Sequence, residues 1–342
     1  MLATLHRMAR LAGFDRAMID RCARFTLISM APIILTVFTG PENWVAYAMA
    51  AGIVAFAGDA GGPPLARLAW MTTGPLALAI GLALGALAAN HLATVFALSM
   101  GAGLAYGFVE TAHPHLLLAT RFFAFGIVLA GLVSAPVPAD FIAIAVMVGF
   151  SWLLSLASDL RQGAWQPLSV PPAASIVLGL KGEMGRRIAF ALAVALSIGA
   201  ALLVAGRVGS VRPTWACLTV LFVMRSEVLG SMRLAAWRIV GTLGGVIIAV
   251  LIVDIGLHLM TLLAMALAAF VRWPAQQLHN TLGVLCLTVF VLLMVEVVTP
   301  NTATAALLLH ERLFDTIIGA AAAGIGLAAF KLLCRAPQPL PP

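Results

Sequence analysis

Apolar runs separated by short polar breaks fill almost the whole chain. Twelve can be marked, at roughly 25–39, 44–58, 70–89, 92–109, 122–135, 139–157, 188–205, 213–232, 235–253, 256–271, 281–298 and 313–333. A helix needs about 20 mostly apolar residues to cross a bilayer, and most of the runs approach that length. Several are short for a straight crossing and read as tilted helices, half-spans or segments continuous with their loops. The pattern predicts an all-α, polytopic membrane protein of about twelve transmembrane helices.

One break is longer than the others. From 158 to 187 the chain turns polar and proline-broken, "SDLRQGAWQPLSVPPAASIVLGLKGEMGRR", and divides six runs from six. The expected organisation is an amphipathic cytoplasmic lead-in over 1–24, a membrane half over 25–157, a cytoplasmic linker over 158–187, a second membrane half over 188–335 and a tail over 336–342. The lead-in has no long apolar core before its arginines, which argues against a cleaved signal peptide. The halves share a faint pattern: Pro41, Trp44 and "RLAWMTTG" from Arg67 in the first, Pro213, Trp215 and "RLAAWRIVG" from Arg233 in the second. With six helices each, such a repeat is parallel, related by an axis along the membrane normal. A closer match, "LLLATRFF" at 116–123 against "LLLHERLF" at 307–314, falls at different helix positions and is taken as chance.

Composition sharpens the class. Apolar residues make up 62% and charged residues 10% of the chain, against about 45–50% and 25% in soluble domains, so a soluble fold is excluded. The net charge of +7 would fit a nucleic-acid partner, but its distribution does not. With a cytoplasmic N-terminus, seventeen of the twenty Lys and Arg residues fall inside, and only Arg207, Arg212 and Arg312 outside, as the positive-inside rule requires. Cys22, Cys217, Cys286 and Cys334 stand singly, so no disulfide or metal site is expected.

Charge within the apolar runs points to chemistry. "MRSEVLGSMRLAAWRIVGTLGG", 224–245, holds Arg225, Glu227, Arg233 and Arg238. A helix running from Pro213 to Met232 puts Arg225 and Glu227 inside the membrane, where ionisable groups mark substrate or ion pathways. A shorter helix ending at Met224 leaves Arg225 at the headgroups. Arg238 stands one turn before Gly241 and Thr242, and Gly241-x-x-x-Gly245 is a small-xxx-small seam. Gly81-x-x-x-Gly85 and Gly103-x-x-x-Gly107 repeat that pattern without nearby charge, so it carries little weight alone. Further along, "TPNTATAALLLHERLFDTIIGA" brings His310, Glu311, Arg312 and Asp315 together after Pro300; Arg312 and Asp315 share a helix face and can pair. Glu296 sits near the outer end of its run, and Glu110, His113, His115, Asp254 and His258 mark run ends. Charge, and with it any chemistry, is concentrated in the second half.

"PTWACLTVLFVM", "RLAAWRIVGTLGG" and "ERLFDTIIGA", in this order, resemble the fusaric acid resistance and aromatic acid exporter superfamily, a pattern shared with plant aluminium-activated malate channels. The resemblance covers about 188–335. It implies motif positions at Arg238, Gly241, Thr242, Gly245, Arg312, Asp315 and Gly319, a bacterial inner-membrane location, use of the proton gradient, and in some members a periplasmic adaptor protein. Such exporters carry a large cytoplasmic domain after each membrane half, whereas a 30-residue linker stands between the halves here.

The function expected is a secondary transporter exporting small organic acids, aromatic carboxylic acids foremost, with proton coupling. The alternative is an organic-anion channel of the malate-channel type. Arg225, Arg238, Thr242 and Arg312 are expected to bind the substrate anion, since a guanidinium matches a carboxylate bidentately and stays charged. Glu227, Glu296 and Asp315 are the candidate proton carriers, and Gly241, Gly245 and Gly319 the packing positions. Catalytic residues, metals and cofactors are not expected; a homo-oligomer is compatible with the pattern.

Overall fold

A computed structural model describes residues 15–39, 44–89, 91–130, 136–164, 167, 184–210, 213–225, 228–298 and 302–334. Among these lie twelve helices and no strand: α1 (Arg16–Thr39), α2 (Trp44–Ala57), α3 (Pro64–Ala88), α4 (Leu92–Val109), α5 (Pro114–Ala130), α6 (Pro138–Gln162), α7 (Met184–Arg207), α8 (Thr214–Val223), α9 (Val228–Asp254), α10 (His258–Leu278), α11 (Asn280–Val298) and α12 (Thr302–Leu333). Seven of them contain segments long and apolar enough to cross a membrane; the shorter apolar helices lie in α2, α5, α8 and α11.

Helix ends follow local chemistry. Asp140 accepts the Val137 N–H at 2.8 Å and caps α6. Gly163, at φ 68°, ends it, because an αL residue after a helix favours glycine. The first five residues of the expected linker, 158–162, are therefore helical, and α7 begins at Met184 rather than after 187. Glu110, Asp254 and His258 do fall at helix ends.

The lengths carry the main surprise. At 10 residues α8 extends about 15 Å, half of the roughly 30 Å hydrocarbon core. The helix expected from Pro213 to Met232 is thus the short alternative: it stops at Val223, and Arg225 is exposed. α2, with 14 residues, is also short. Both are enclosed by other helices, with Val45–Gly52 and Ala216–Leu221 buried without interruption.

Around α2 pack α1, α3 and α6, and around α8 pack α7, α12 and, more lightly, α5 and α9. α3 lies on α5, and α9 on α11. The fourth helices cross over: α4 packs chiefly on α7, and α10 packs on α1 as well as on its own neighbour α11. Two cores result. One joins Phe25, Tyr47, Leu78 and Met147 to Met265 and Phe290; the other joins Tyr106 and Ile127 to Phe190, Val220 and Phe330.

Lipid tails are as apolar as leucine, so close packing rather than water exclusion holds such helices together. All three small-xxx-small pairs are seams. A Cβ on Gly85 would meet the Ile127 Cα at 2.9 Å, one on Gly107 the Ala191 Cα at 2.5 Å, and one on Gly245 the Thr288 Cβ at 2.6 Å. Gly319 closes on the Ala216 carbonyl of α8 in the same way.

Candidate functional site

One end of the bundle collects the charge. It is the end where α1, α3, α5, α9 and α11 begin and α2, α4, α6, α8 and α10 finish, because side chains from these termini touch one another. Trp70 stacks on His115 at 4.2 Å and lies 5.2 Å from His113, while Trp237, at the same place in α9, meets His279 at 5.4 Å.

At the finish of α2 the charges balance. Asp59 accepts from Arg24 at 2.9 Å and from Ser155 at 2.5 Å, and pairs with Arg67 at 3.3 Å. Arg67 also holds Asp159 at 2.8 Å, and Asp20 takes Arg24, Ser158 and Arg161. Three arginines and three aspartates tie α1, α3 and α6 together, with Arg67 only 4% exposed. The sequence draws attention to charge in the second half; among the described residues, an interlinked charge network also stands in the first. Burial pushes the Asp59 carboxyl up, but the Ser155 hydroxyl, the Gly61 N–H and the Arg67 and Arg24 guanidiniums outweigh it and hold it below its ordinary value. A depressed pKa stabilises the fold above the unfolded-state value of 3.8 and loses that contribution as pH falls through the folded-state value. Asp59→Asn should therefore destabilise the detergent-solubilised protein by about 3 kcal/mol at neutral pH, the scale for breaking a buried ion pair. In thermal unfolding scans the gap to wild type should close below pH 4; a gap constant with pH would refute the assignment.

At the finish of α8 two arginines have no ion pair among the described residues. The Met224 carbonyl, left over where the helix ends, accepts the Tyr106 hydroxyl of α4 at 2.7 Å, and Arg121 of α5 donates to that hydroxyl at 3.0 Å. The Arg121 guanidinium lies 5.7 Å from the centroid of Phe222, and that of Arg238 on α9 lies 4.8 Å from the same ring. Neither arginine has an ion pair among the described residues. Both Nε atoms are buried without a hydrogen bond, and so is Oε2 of Glu110, one turn past Tyr106. Two cations lie near one aromatic ring at the end of a half-length helix.

The expected site residues divide. Arg238 lies in the cluster, and Thr242, 4% exposed, is buried one turn deeper. Gly241 and Gly245 meet Thr281 and Thr288 of α11 beside it. Arg225 follows Met224 and is exposed. Glu296 is about 24 Å along α11 from its start near Trp237, away from this end. Asp315 is 1% exposed on α12, one turn before the Gly319 contact with α8. Glu227 and the side chains of Glu311 and Arg312 lie outside the described residues. Arg121, Tyr106 and Phe222 were not expected. Arg121 is the lone charge of α5, inside the "LLLATRFF" stretch, and Tyr106 is one of two tyrosines in the chain.

Enclosed half-length helices, apolar seams and basic helix ends gathered on one face define a polytopic α-helical membrane protein. Residues 200–326, from within α7 to within α12, match the family model described as fusaric acid resistance protein-like, and so point to a transporter of that type. Phe222, Arg238 and the Gly241–Gly245 seam lie inside the match; Tyr106 and Arg121 lie outside it. No curated protein and no solved structure matches the chain.

Proposed function

We propose that the protein is a bacterial inner-membrane secondary transporter that exports small organic acids, aromatic carboxylates foremost, using the proton gradient. The observation that carries this is the pair Arg121 and Arg238 near Phe222, cationic and without an ion pair among the described residues, where the corresponding end of α2 is held by a network of ion pairs. A carboxylate supplies the missing charge, and a flat ring can lie against Phe222 and Tyr106. Two short helices at corresponding positions support the placement, since transporters put their sites at such interruptions. The same correspondence supports a parallel repeat of α1–α6 and α7–α12: α3 on α5 answers α9 on α11, and Trp70 with His115 answers Trp237 with His279.

Uptake into inverted vesicles, across aromatic and aliphatic acids with and without a pH gradient, tests the reading. Uphill accumulation driven by the gradient is expected. Flux that only follows the anion's own electrochemical gradient would instead make the protein a channel of the malate type.

Two further outcomes follow from the orientation and the coupling. With both termini and the linker cytoplasmic, single cysteines at Ser169 and Leu340 should resist an impermeant thiol reagent in intact cells, and ready labelling would invert the topology. Of the three proton-carrier candidates, Glu296 and Asp315 are embedded in the described helices. Glu296→Gln or Asp315→Asn at the coupling site should abolish uphill transport while leaving exchange down a gradient partly intact. Normal pH-driven transport in both would leave Glu227 as the carrier.

A further inference from the structure

Two histidines cap helices at the charged end of the bundle. His113 precedes Pro114, the first residue of α5; its carbonyl accepts the Leu117 N–H at 3.0 Å and its Nδ1 accepts the His115 N–H at 3.3 Å. His279 precedes Asn280, the first residue of α11; its carbonyl accepts the Gly283 N–H at 3.3 Å and its Nδ1 the Thr281 N–H at 3.2 Å. Each is thus the N-cap of its helix, with the imidazole satisfying an N–H that has no partner within the helix. Each also lies against a tryptophan of the helix on which its own helix packs, Trp70 of α3 for His113 and Trp237 of α9 for His279. The same device therefore occurs twice, at the starts of α5 and α11.

Only a neutral imidazole can cap in this way. Protonated histidine carries hydrogen on both ring nitrogens and accepts no bond, and a cation is disfavoured at the positive end of a helix. His279 is exposed and His113 half-buried, so protons from water reach both. Among the described residues neither imidazole has another hydrogen-bond partner to replace the cap. Around His113 the elements at this end carry Arg67 on α3, Tyr106 and Glu110 on α4, His115 and Arg121 on α5 and Arg225 after α8. Around His279 they carry Arg233 and Arg238 on α9, Arg272 on α10, Cys286 on α11 and Lys331 on α12. Of these residue types only histidine ordinarily titrates between pH 5.5 and 8, and His115 stacks on Trp70 but caps nothing. We infer that His113 and His279 are pH-sensitive caps, which hold the starts of α5 and α11 when neutral and release the first turn of each when protonated. Arg121 lies about two turns along α5, and α11 is the helix on which the Gly241–Gly245 seam closes. The inference stands on the cap geometry and does not depend on the transport reading.

The test is hydrogen–deuterium exchange of the purified full chain in neutral detergent at about pH 8 and pH 5.5, corrected for the pH dependence of intrinsic exchange. On acidification, peptides covering the first turns of α5 and α11 should lose about fivefold in protection, the equivalent of one N-cap. Asparagine caps at either pH, so His113→Asn should remove the loss at α5 and leave that at α11, and His279→Asn the reverse. His91→Asn is the control: His91 stands at the N-cap of α4 but its side chain makes no cap bond, so both losses should remain. Within the wild type the start of α6, capped by the Asp140 carboxylate, should show no loss, which keeps the test decisive if a variant does not fold. No loss in the wild type, an equal loss at α6, or losses that survive in His113→Asn and His279→Asn would overturn the assignment.

Discussion

Arg238→Lys should insert and fold like wild type yet transport poorly, with apparent substrate affinity weakened by about 1.5–3 kcal/mol, the scale for a hydrogen bond to a charged group. Lysine keeps the charge that orientation in the membrane requires, but it loses the planar fork and its stacking on an aromatic face. Arg121→Lys should behave alike, because it shares Phe222 with Arg238 and also loses the bond to Tyr106. Arg233→Lys is the control: Arg233 is exposed, 5.6 Å from the Trp237 centroid, and should be nearly silent. Concentration-dependent uptake into vesicles, normalised to inserted protein, separates the three. Equal mild effects at 233 and 238 would reduce the arginines to anchors.

Gly241→Leu and Gly245→Leu should abolish assembly rather than alter selectivity. A first side-chain carbon alone would sit 2.7 Å from the Thr281 carbonyl oxygen at 241 and 2.6 Å from the Thr288 Cβ at 245. The obstacles include α11 backbone, which cannot swing aside as a flexible side chain can, so α9 and α11 would have to part. Overpacking in a closed core costs about 1–3 kcal/mol for small insertions, and a leucine against backbone exceeds that. Size-exclusion chromatography of the solubilised protein should show loss of the monodisperse peak. Gly324→Leu, at an open position on α12, should retain it. Normal yield from both seam variants would disprove the close approach and remove the setting proposed for Arg238.

Helices were legible because an apolar run needs no partner to be recognised. Their lengths were less so: in "PTWACLTVLFVMRSEVLGSM" Arg225 and Glu227 follow Val223 closely, but charge inside a membrane helix and charge just past its end look alike in sequence, so both lengths stay open there. Seams were legible but undervalued. Repetition of the glycine spacing near no charge lowers its weight as a charge-site signal, yet in lipid small residues place helices whether or not charge is near. The charge network was invisible for a different reason. Arg24 meets Asp59 across 35 positions, and Arg67 meets Ser155 across 88, so local charge density gave no hint of it. Arg238 was found from its neighbours along one helix. Arg121 was missed because its significance comes from α4 and α8, which fold brings to it and sequence does not.

The crossover of the fourth helices limits how this protein can move. α4 belongs to the first half by sequence but lies chiefly on α7, while α10 belongs to the second half and reaches across to α1. The halves are clasped like two hands with one finger exchanged. A rocking of residues before the linker against those after it would pull both fingers loose, so the cut between moving parts cannot follow the cut in the sequence. Any opening must instead swing one assembly built around α2 against another built around α8, each containing helices from both sides of the linker. Phe222 and its two arginines, at the tip of α8 where α4, α5 and α9 converge, lie where such a swing would be felt.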